Sequence, residues 1–150
     1  AYTPLNQLTP GRTKYGTNNN ARIFRYADVL LMYAEACNEL GESREALDKL
    51  EMVRARARRT VHPADMTVGL PEITETGKEK LREIIWNERR IELALEGHRF
   101  FDLIRADKVV PGYAEKMMKA HGKKNFSIAK HATFFIPQKQ VDISQGVLKN

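Results

Sequence analysis

The chain has 150 residues, which is long enough for one domain with one core. Of these residues 42% are hydrophobic and 29% are charged, a composition that disfavours extensive disorder. Its net charge of +6 is spread along the sequence and interleaved with acids, which argues against nucleic-acid binding. The densest basic cluster is Arg54, Arg56, Arg58 and Arg59. A single cysteine, Cys37, excludes an internal disulfide and a multi-cysteine zinc site. Acidic residues interrupt the most apolar stretch, 27–40, and exclude a membrane span there.

Residues 1–20 are rich in Pro, Gly, Thr and Asn, which predicts an irregular lead-in. A helical hairpin is expected over 22–59. The first helix repeats apolar or small residues at the spacing of one buried face: Tyr26, Val29, Leu30, Tyr33, Ala34, Cys37 and Leu40. Gly41 is expected to end this helix, and Ser43 to cap the second one.

The second helix is expected to bury Ala46, Leu47, Leu50, Val53 and Ala57. Because the connecting turn is short, the two helices should be antiparallel neighbours. This hairpin resembles a tetratricopeptide repeat. Since one such unit cannot bury its face alone, we expect partners inside or outside the chain.

A long helix carrying the most distinctive motif is predicted over 76–106. Thr76 and Glu79 have the spacing of a capping box, and an apolar stripe follows: Leu81, Ile84, Ile85, Ile91 and Leu95. Gly97 is expected to bend or end this helix, with Arg99 to Ala106 continuing as a second helical segment. Residues 107–150 are predicted to be loops and a tail, with a short helix at Tyr113 to Ala120 and a short strand at Thr133 to Pro137.

Three glutamates of the long helix, Glu88, Glu92 and Glu96, stand four residues apart and are predicted to form one column. Glu88 also falls inside the apolar stripe, where a carboxylate is costly unless cations compensate it. The expected partners are arginines, which bind carboxylates bidentately: Arg89, Arg99, Arg105 and those of the hairpin.

Three interpretations of this charged segment compete. Two of the glutamates could form the acid/base pair of a glycoside hydrolase. A metal site in a helical bundle is the second interpretation, but its Glu-x-x-His spacing fails because His98 follows Glu96 by two residues. The third, a structural ion network that joins helices, is favoured because structural networks also perturb carboxylates.

Four segments, in order, resemble one family. They are Arg25 to Ala36 followed by Asn38, Ala46 to Ala57, Glu88 to Arg105 with its Glu-Gly-x-Arg core, and Phe135 to Gln138 continuing to Leu148-Lys149-Asn150. Together they are similar to the C-terminal part of SusD/RagB proteins, which are outer-membrane nutrient-binding lipoproteins. The resemblance covers about residue 14 to residue 150.

The resemblance implies a mainly α, SusD-like fold over 1–150, as a fragment of a longer protein. It implies capture of a glycan or other nutrient at the cell surface, a lipid anchor absent from this chain, and a SusC-like TonB-dependent transporter barrel as partner. It implies neither catalysis nor an obligatory cofactor. The family's motif corresponds to a structural set: Glu88, Arg89, Glu92, Glu96, Gly97, Arg99, Asp102 and Arg105.

Glycan capture relies on aromatic platforms, and few candidates are present. Tyr2, Tyr15 and Tyr113 are the candidate ligand-binding residues, while Trp86 is assigned to packing. Two other functions stay open: a tetratricopeptide-like module that docks a peptide, and a hydrolase that uses two of the three glutamates. An exposed apolar flank is also expected, where further parts of the protein would pack.

Overall fold

The computed structural model of the chain describes residues 23–60 and 70–149, and these residues are mainly helical, as predicted. Within them are seven helices: α1 (Tyr26–Leu40), α2 (Ser43–Thr60), α3 (Lys78–Glu92), α4 (Arg99–Val109), α5 (Tyr113–Ala120), α6 (Ile128–His131) and α7 (Gln138–Ile143). The chain divides into two compact units between Arg89 and Arg90, within α3. No helix in the described ranges combines the length and apolar character needed to cross a bilayer.

The predicted hairpin is confirmed as α1 and α2, which pack against each other. Gly41 ends α1 in the left-handed conformation, with φ of 87°, and its N–H donates to the Asn38 carbonyl at 3.1 Å. The expected cap at Ser43 is wrong. The Glu42 carbonyl accepts the first hydrogen bond of α2, from Ala46 N–H, while Ser43 Oγ donates to the Thr76 carbonyl at 3.0 Å.

The core of the first unit contains residues from all three of its helices: Leu30, Leu31, Ala34, Cys37, Ala46, Leu50, Val53, Leu81 and Ile85. The predicted face of α1 is only partly right, because Tyr26, Val29, Tyr33 and Leu40 are exposed. Their places on the buried side are taken by polar residues: Asp28, Glu35 and Asn38. Helix α1 is therefore apolar on its exposed side and partly polar on its buried side.

The long helix is interrupted, as predicted, and its second segment is confirmed as α4, which begins at Arg99. Helix α3 begins at Lys78, and Glu75 Oε1 accepts from Gly77 N–H at 2.8 Å in place of the predicted capping box. It ends at Glu92, before the expected Gly97, and a turn follows in which Leu95 and Gly97 have φ of 67° and 84°. Leu95 consequently projects into solvent instead of extending the apolar stripe.

The second unit contains α4 to α7. The predicted short helix at 113–120 is confirmed as α5, whose start is fixed by Asp107 Oδ1 accepting from Ala114 N–H at 2.8 Å. The predicted C-terminal strand is wrong, because residues 133–137 form no strand and α7 begins directly after Pro137. A strand needs a partner for its backbone groups, and the described parts of the chain offer no other strand.

Candidate functional site

Polar side chains join the α1–α2 hairpin to α3, and we call this set the polar interface. Its members come from all three helices of the first unit: Asp28, Glu35, Asn38, Glu39, Arg54, Lys78, Arg82, Trp86, Glu88 and Arg89. Most are buried, although charged residues are almost never fully buried unless they are paired. The partners of each side chain therefore show whether these residues have a structural role or are free to act on a ligand.

Arg54 of α2 and Glu88 of α3 form an ion pair, Nη1 to Oε2, of 2.6 Å, in which the side chains are 9% and 8% exposed. The expected partner class for Glu88, a hairpin arginine, is thus the one observed. Arg54 Nη2 also donates to the Pro71 carbonyl at 2.8 Å. Arg58, one turn later, donates to the Leu70 carbonyl at 3.0 Å. Two arginines of the dense basic cluster therefore fasten the segment before α3 to α2.

Arg89, which the sequence offered as a partner for Glu88, binds Asp28 of α1. The distance from Nη1 to Oδ1 is 2.8 Å, and the side chains are 5% and 3% exposed. Adjacent residues on a helix point about 100° apart, so Glu88 and Arg89 reach different neighbours. Each buried charge in these two pairs has an opposite charge in contact, which offsets the cost of its desolvation.

Further bonds extend the polar interface along α1. Trp86 Nε1 donates to Glu35 Oε1 at 2.9 Å, so the single tryptophan packs inside the unit as expected. Asn38 Nδ2 donates to the Lys78 carbonyl at 2.9 Å. On α3 these two bonds involve its first residue, Lys78, and a residue near its middle, Trp86, and both join α3 to α1.

At a more open end of the polar interface, Arg82 binds Glu39 through Nε and Nη2 at 2.5 and 2.8 Å. These hydrogen bonds hold the pKa of the Glu39 carboxyl below its ordinary value, against the opposing effect of partial burial. The same bonds raise the pKa of Arg82. Lys78 Nζ donates to the Glu39 carbonyl at 2.6 Å, which adds a second cation to this end.

The remaining residues of the motif lie in the last turn of α3, in the turn that follows it and in α4. Glu92 lies half-buried in the last turn of α3 and Glu96 is exposed in the turn that follows, so the predicted single column of three glutamates is wrong. In the second unit Arg105 pairs with Asp102 at 3.1 Å, one turn apart on α4. Burial lowers the pKa of Arg99.

Of the three candidate ligand-binding tyrosines, the structure describes one. Tyr2 and Tyr15 lie outside the described residues, and Tyr113 is half-buried at the start of α5 instead of lying in a loop. Cys37 is buried, and burial raises the pKa of its thiol, which disfavours a nucleophilic thiolate. Across residues 23–60 and 70–149, no three His, Cys, Asp or Glu side chains form a group able to hold a metal ion.

Four of the ten residues of the polar interface lie on α1, and the sequence interpretation does not identify them. Asp28 and Glu35 were treated as interruptions of an apolar stretch, yet they stand seven residues apart and so share one helix face. That spacing was the available signal. Their partners, Arg89 and Trp86, are 61 and 51 residues away along the chain, so no local sequence pattern predicts which residues pair.

Comparison with known proteins gives relatives over much of the chain. The model of the SusD family matches residues 5–150. SusD-like protein P38 of Formosa agariphila is 39% identical over 94 residues, which are 62% of this chain and 18% of that protein. SusD-like protein P2 of the same organism is 42% identical over 85 residues, 54% of this chain and 16% of that protein.

A third relative, SusD-like protein P25 of Formosa agariphila, is 39% identical over 92 residues, 61% of this chain and 16% of that protein. No solved structure matches the chain. The matched part is thus less than a fifth of the length of each of these relatives. Because the family model covers nearly all of the sequence, from residue 5 to the last residue, the chain belongs to the SusD family.

Proposed function

We propose that this protein binds a nutrient, in the first place a glycan, at the cell surface, as the accessory subunit of an outer-membrane uptake complex. In this proposal a TonB-dependent, SusC-like barrel is its partner, and a lipid anchor attaches it to the outer membrane. The support is membership of the SusD family, which the match over residues 5–150 establishes. The matched part is under a fifth of the length of these relatives, so we assign the chain one structural part of that function.

The observation that carries a binding role over a catalytic one is the state of Glu88. A general acid or base must reach the proton that it transfers, directly or through one water. The Glu88 carboxylate is instead buried and bonded to Arg54 at 2.6 Å. The other two glutamates of the hydrolase alternative lie in different elements, one in α3 and one in the turn after it. We therefore assign the motif a structural role, in which Glu88 and Arg89 fasten α3 to the hairpin.

The test uses the intact protein and a panel of oligosaccharides. Calorimetry should detect binding of at least one of them, and reducing-end analysis of the same mixtures should show no cleavage over a day. Glu88→Gln should lower thermal stability. Cleavage that is abolished by Glu88→Gln would instead establish the hydrolase. Absence of binding to every glycan, with binding to peptides, would favour the other alternative.

That alternative, a tetratricopeptide-like docking module, is favoured by one observation. Helix α1 exposes a contiguous apolar face, which we call the α1 apolar face: Tyr26, Val29, Met32, Tyr33 and Leu40. An exposed apolar face of this kind is typical of a surface that another part of the protein or a partner covers. Binding of an amphipathic helical peptide to the intact protein discriminates between the two functions. A peptide that binds the α1 apolar face would support the docking module. Absence of binding would indicate that other parts of the same protein cover this face.

A further inference from the structure

The positive charge of the chain is concentrated in its last third. Residues 107–149 contain eight lysines and three acidic residues, a net of +5 out of the +6 carried by the whole chain. No arginine occurs in this range. The first 106 residues are therefore close to balanced, and the excess charge belongs to the second unit.

The three acidic residues of this range bind partners inside the unit. Asp107 accepts from Ala114 N–H at 2.8 Å, Glu115 from Ile128 N–H at 3.2 Å, and Asp142 from Gln138 Nε2 at 2.8 Å. Only Glu115 also approaches a lysine, Lys119, at 3.8 Å. Two of these acids bind backbone N–H groups and the third binds a side-chain amide, and of the lysines in this range Lys119 alone has an ion pair with a described residue.

Five of the lysines lie on a short, folded-back segment that we call the lysine-rich surface: Lys116, Lys119, Lys123, Lys124 and Lys130. After α5 the chain turns back, with Lys123 N–H bonded to the Met118 carbonyl at 2.9 Å. The bond from Ile128 N–H to Glu115 then holds the start of α6 beside α5. All five lysines are exposed, and apart from Lys119 none has an ion pair with a described residue.

An aromatic pair lies within the same segment. The rings of Phe126 and His131 stack with centroids 5.4 Å apart and planes 22° apart. His131 Nδ1 lies 2.9 Å from the Ser127 carbonyl oxygen, and this contact fixes the orientation of the imidazole ring. In the sequence, Phe126 follows the Lys123–Lys124 doublet by two residues, and His131 directly follows Lys130. Aromatic faces next to polar groups suit sugar rings, whose C–H groups pack on the ring face.

We propose that the lysine-rich surface binds an anionic polysaccharide, whose carboxylate or sulfate groups meet the lysines while a sugar ring packs on the Phe126–His131 pair. This inference rests on the proposed glycan-binding function and specifies the ligand's chemical class. Lysine ammonium groups are point charges on flexible stems, so they tolerate the variable spacing of charges along a polymer. Arginine, which is absent here, is the residue that phosphate recognition in nucleic acids favours.

The experiment uses the intact protein with polygalacturonate and dextran sulfate as anionic probes and dextran as the neutral probe. A triple variant, Lys116→Gln, Lys123→Gln and Lys124→Gln, removes three charges from the surface. The control, Arg44→Gln, Arg59→Gln and Lys80→Gln, removes three exposed charges from the first unit. We expect the first variant to bind at least one anionic polymer roughly tenfold more weakly, and the control to stay within about twofold. Binding should also weaken with added salt.

Other outcomes would overturn the inference. Equal loss in both variants would mean that net charge alone attracts the polymer. Tighter binding to phosphatidylglycerol vesicles, or to single-stranded DNA, than to either polysaccharide would assign the surface to a membrane or to nucleic acid. An intact protein that binds neutral oligosaccharides but neither polyanion would retain the proposed function and refute this inference, whereas one that binds no glycan at all would refute both.

Discussion

Replacing one partner of the Arg54–Glu88 pair should destabilise the chain far more than replacing both. The charges are 2.6 Å apart and each side chain is under a tenth exposed. At an effective dielectric constant of 20, two unit charges about 3 Å apart attract by roughly 5 kcal/mol, and most of this offsets their desolvation. Removing one partner leaves the other charge buried and uncompensated, which costs about 3–5 kcal/mol.

Glu88→Gln should lie at the lower end of that range, because Arg54 keeps its bond to the Pro71 carbonyl. Arg54→Met should cost more, since that bond is lost together with the ion pair. The double replacement, Arg54→Met with Glu88→Leu, should be closer to the wild type than either single variant, because well-packed apolar residues avoid the desolvation cost. The expected coupling energy is about 2 kcal/mol or more.

Urea unfolding followed by Trp86 fluorescence would measure these differences, because the single tryptophan is buried in the same interface. A loss of 3 kcal/mol should lower the urea midpoint by about 1–2 M. Glu83→Gln, at an exposed position of the same helix, is the matched control and should change stability by less than about 0.5 kcal/mol. Additive effects of the two single variants, or a Glu88→Gln midpoint equal to that of the control, would refute the reasoning.

Three further predictions concern the first unit. The hydrogen bonds from Arg82 lower the pKa of Glu39 from 4.5, so the contribution of this pair to stability should be complete above pH 4.5 and lost as the pH falls through the lower pKa of the folded state. The difference in stability between the wild type and Arg82→Leu should therefore shrink over that acidic range. A difference that does not depend on pH would contradict this prediction. Cys37 is buried with a raised pKa, so Ellman's reagent should modify it only on unfolding, and rapid modification of the folded chain would show the assignment to be wrong. The α1 apolar face should promote self-association of the isolated chain, and Val29→Glu with Leu40→Gln should reduce it in analytical ultracentrifugation; an unchanged sedimentation profile would count against that face.

Local features of the sequence predicted most helices correctly. Gly41 marked the end of α1, and the short turn after it required an antiparallel hairpin. Apolar spacing also placed Leu81 and Ile85 in the core. These signals succeed because propensity, capping and periodicity act within a few residues of one another.

The same reasoning failed where distant residues decide the outcome. Hydrophobic periodicity put Tyr26 and Tyr33 inside and treated Asp28 as an interruption, but Asp28 is buried because Arg89, 61 residues later, lies against it. The predicted column of glutamates was wrong for a related reason. The spacing of four residues placed Glu96 on the same helix as Glu88, but α3 ends at Glu92. A buried ion pair has no periodic signature, so its two halves can be recognised only as polar residues at unexpected positions.

The order of the two adjacent charges on α3 should determine how that helix docks on the hairpin. Glu88 meets Arg54 of α2 and Arg89 meets Asp28 of α1, so exchanging the signs would set like charges against each other in both places. The double variant Glu88→Arg with Arg89→Glu should therefore fail to fold or lose most of its stability, since two buried like-charge contacts cost several kcal/mol. Adding Asp28→Arg and Arg54→Glu restores both attractions and should recover a cooperative unfolding transition, measured by the midpoint of Trp86 fluorescence, although the new side chains differ in length. A quadruple variant no more stable than the double one would show that the polar interface depends on the shape of these side chains, and that the order of charge along α3 does not by itself align the helices.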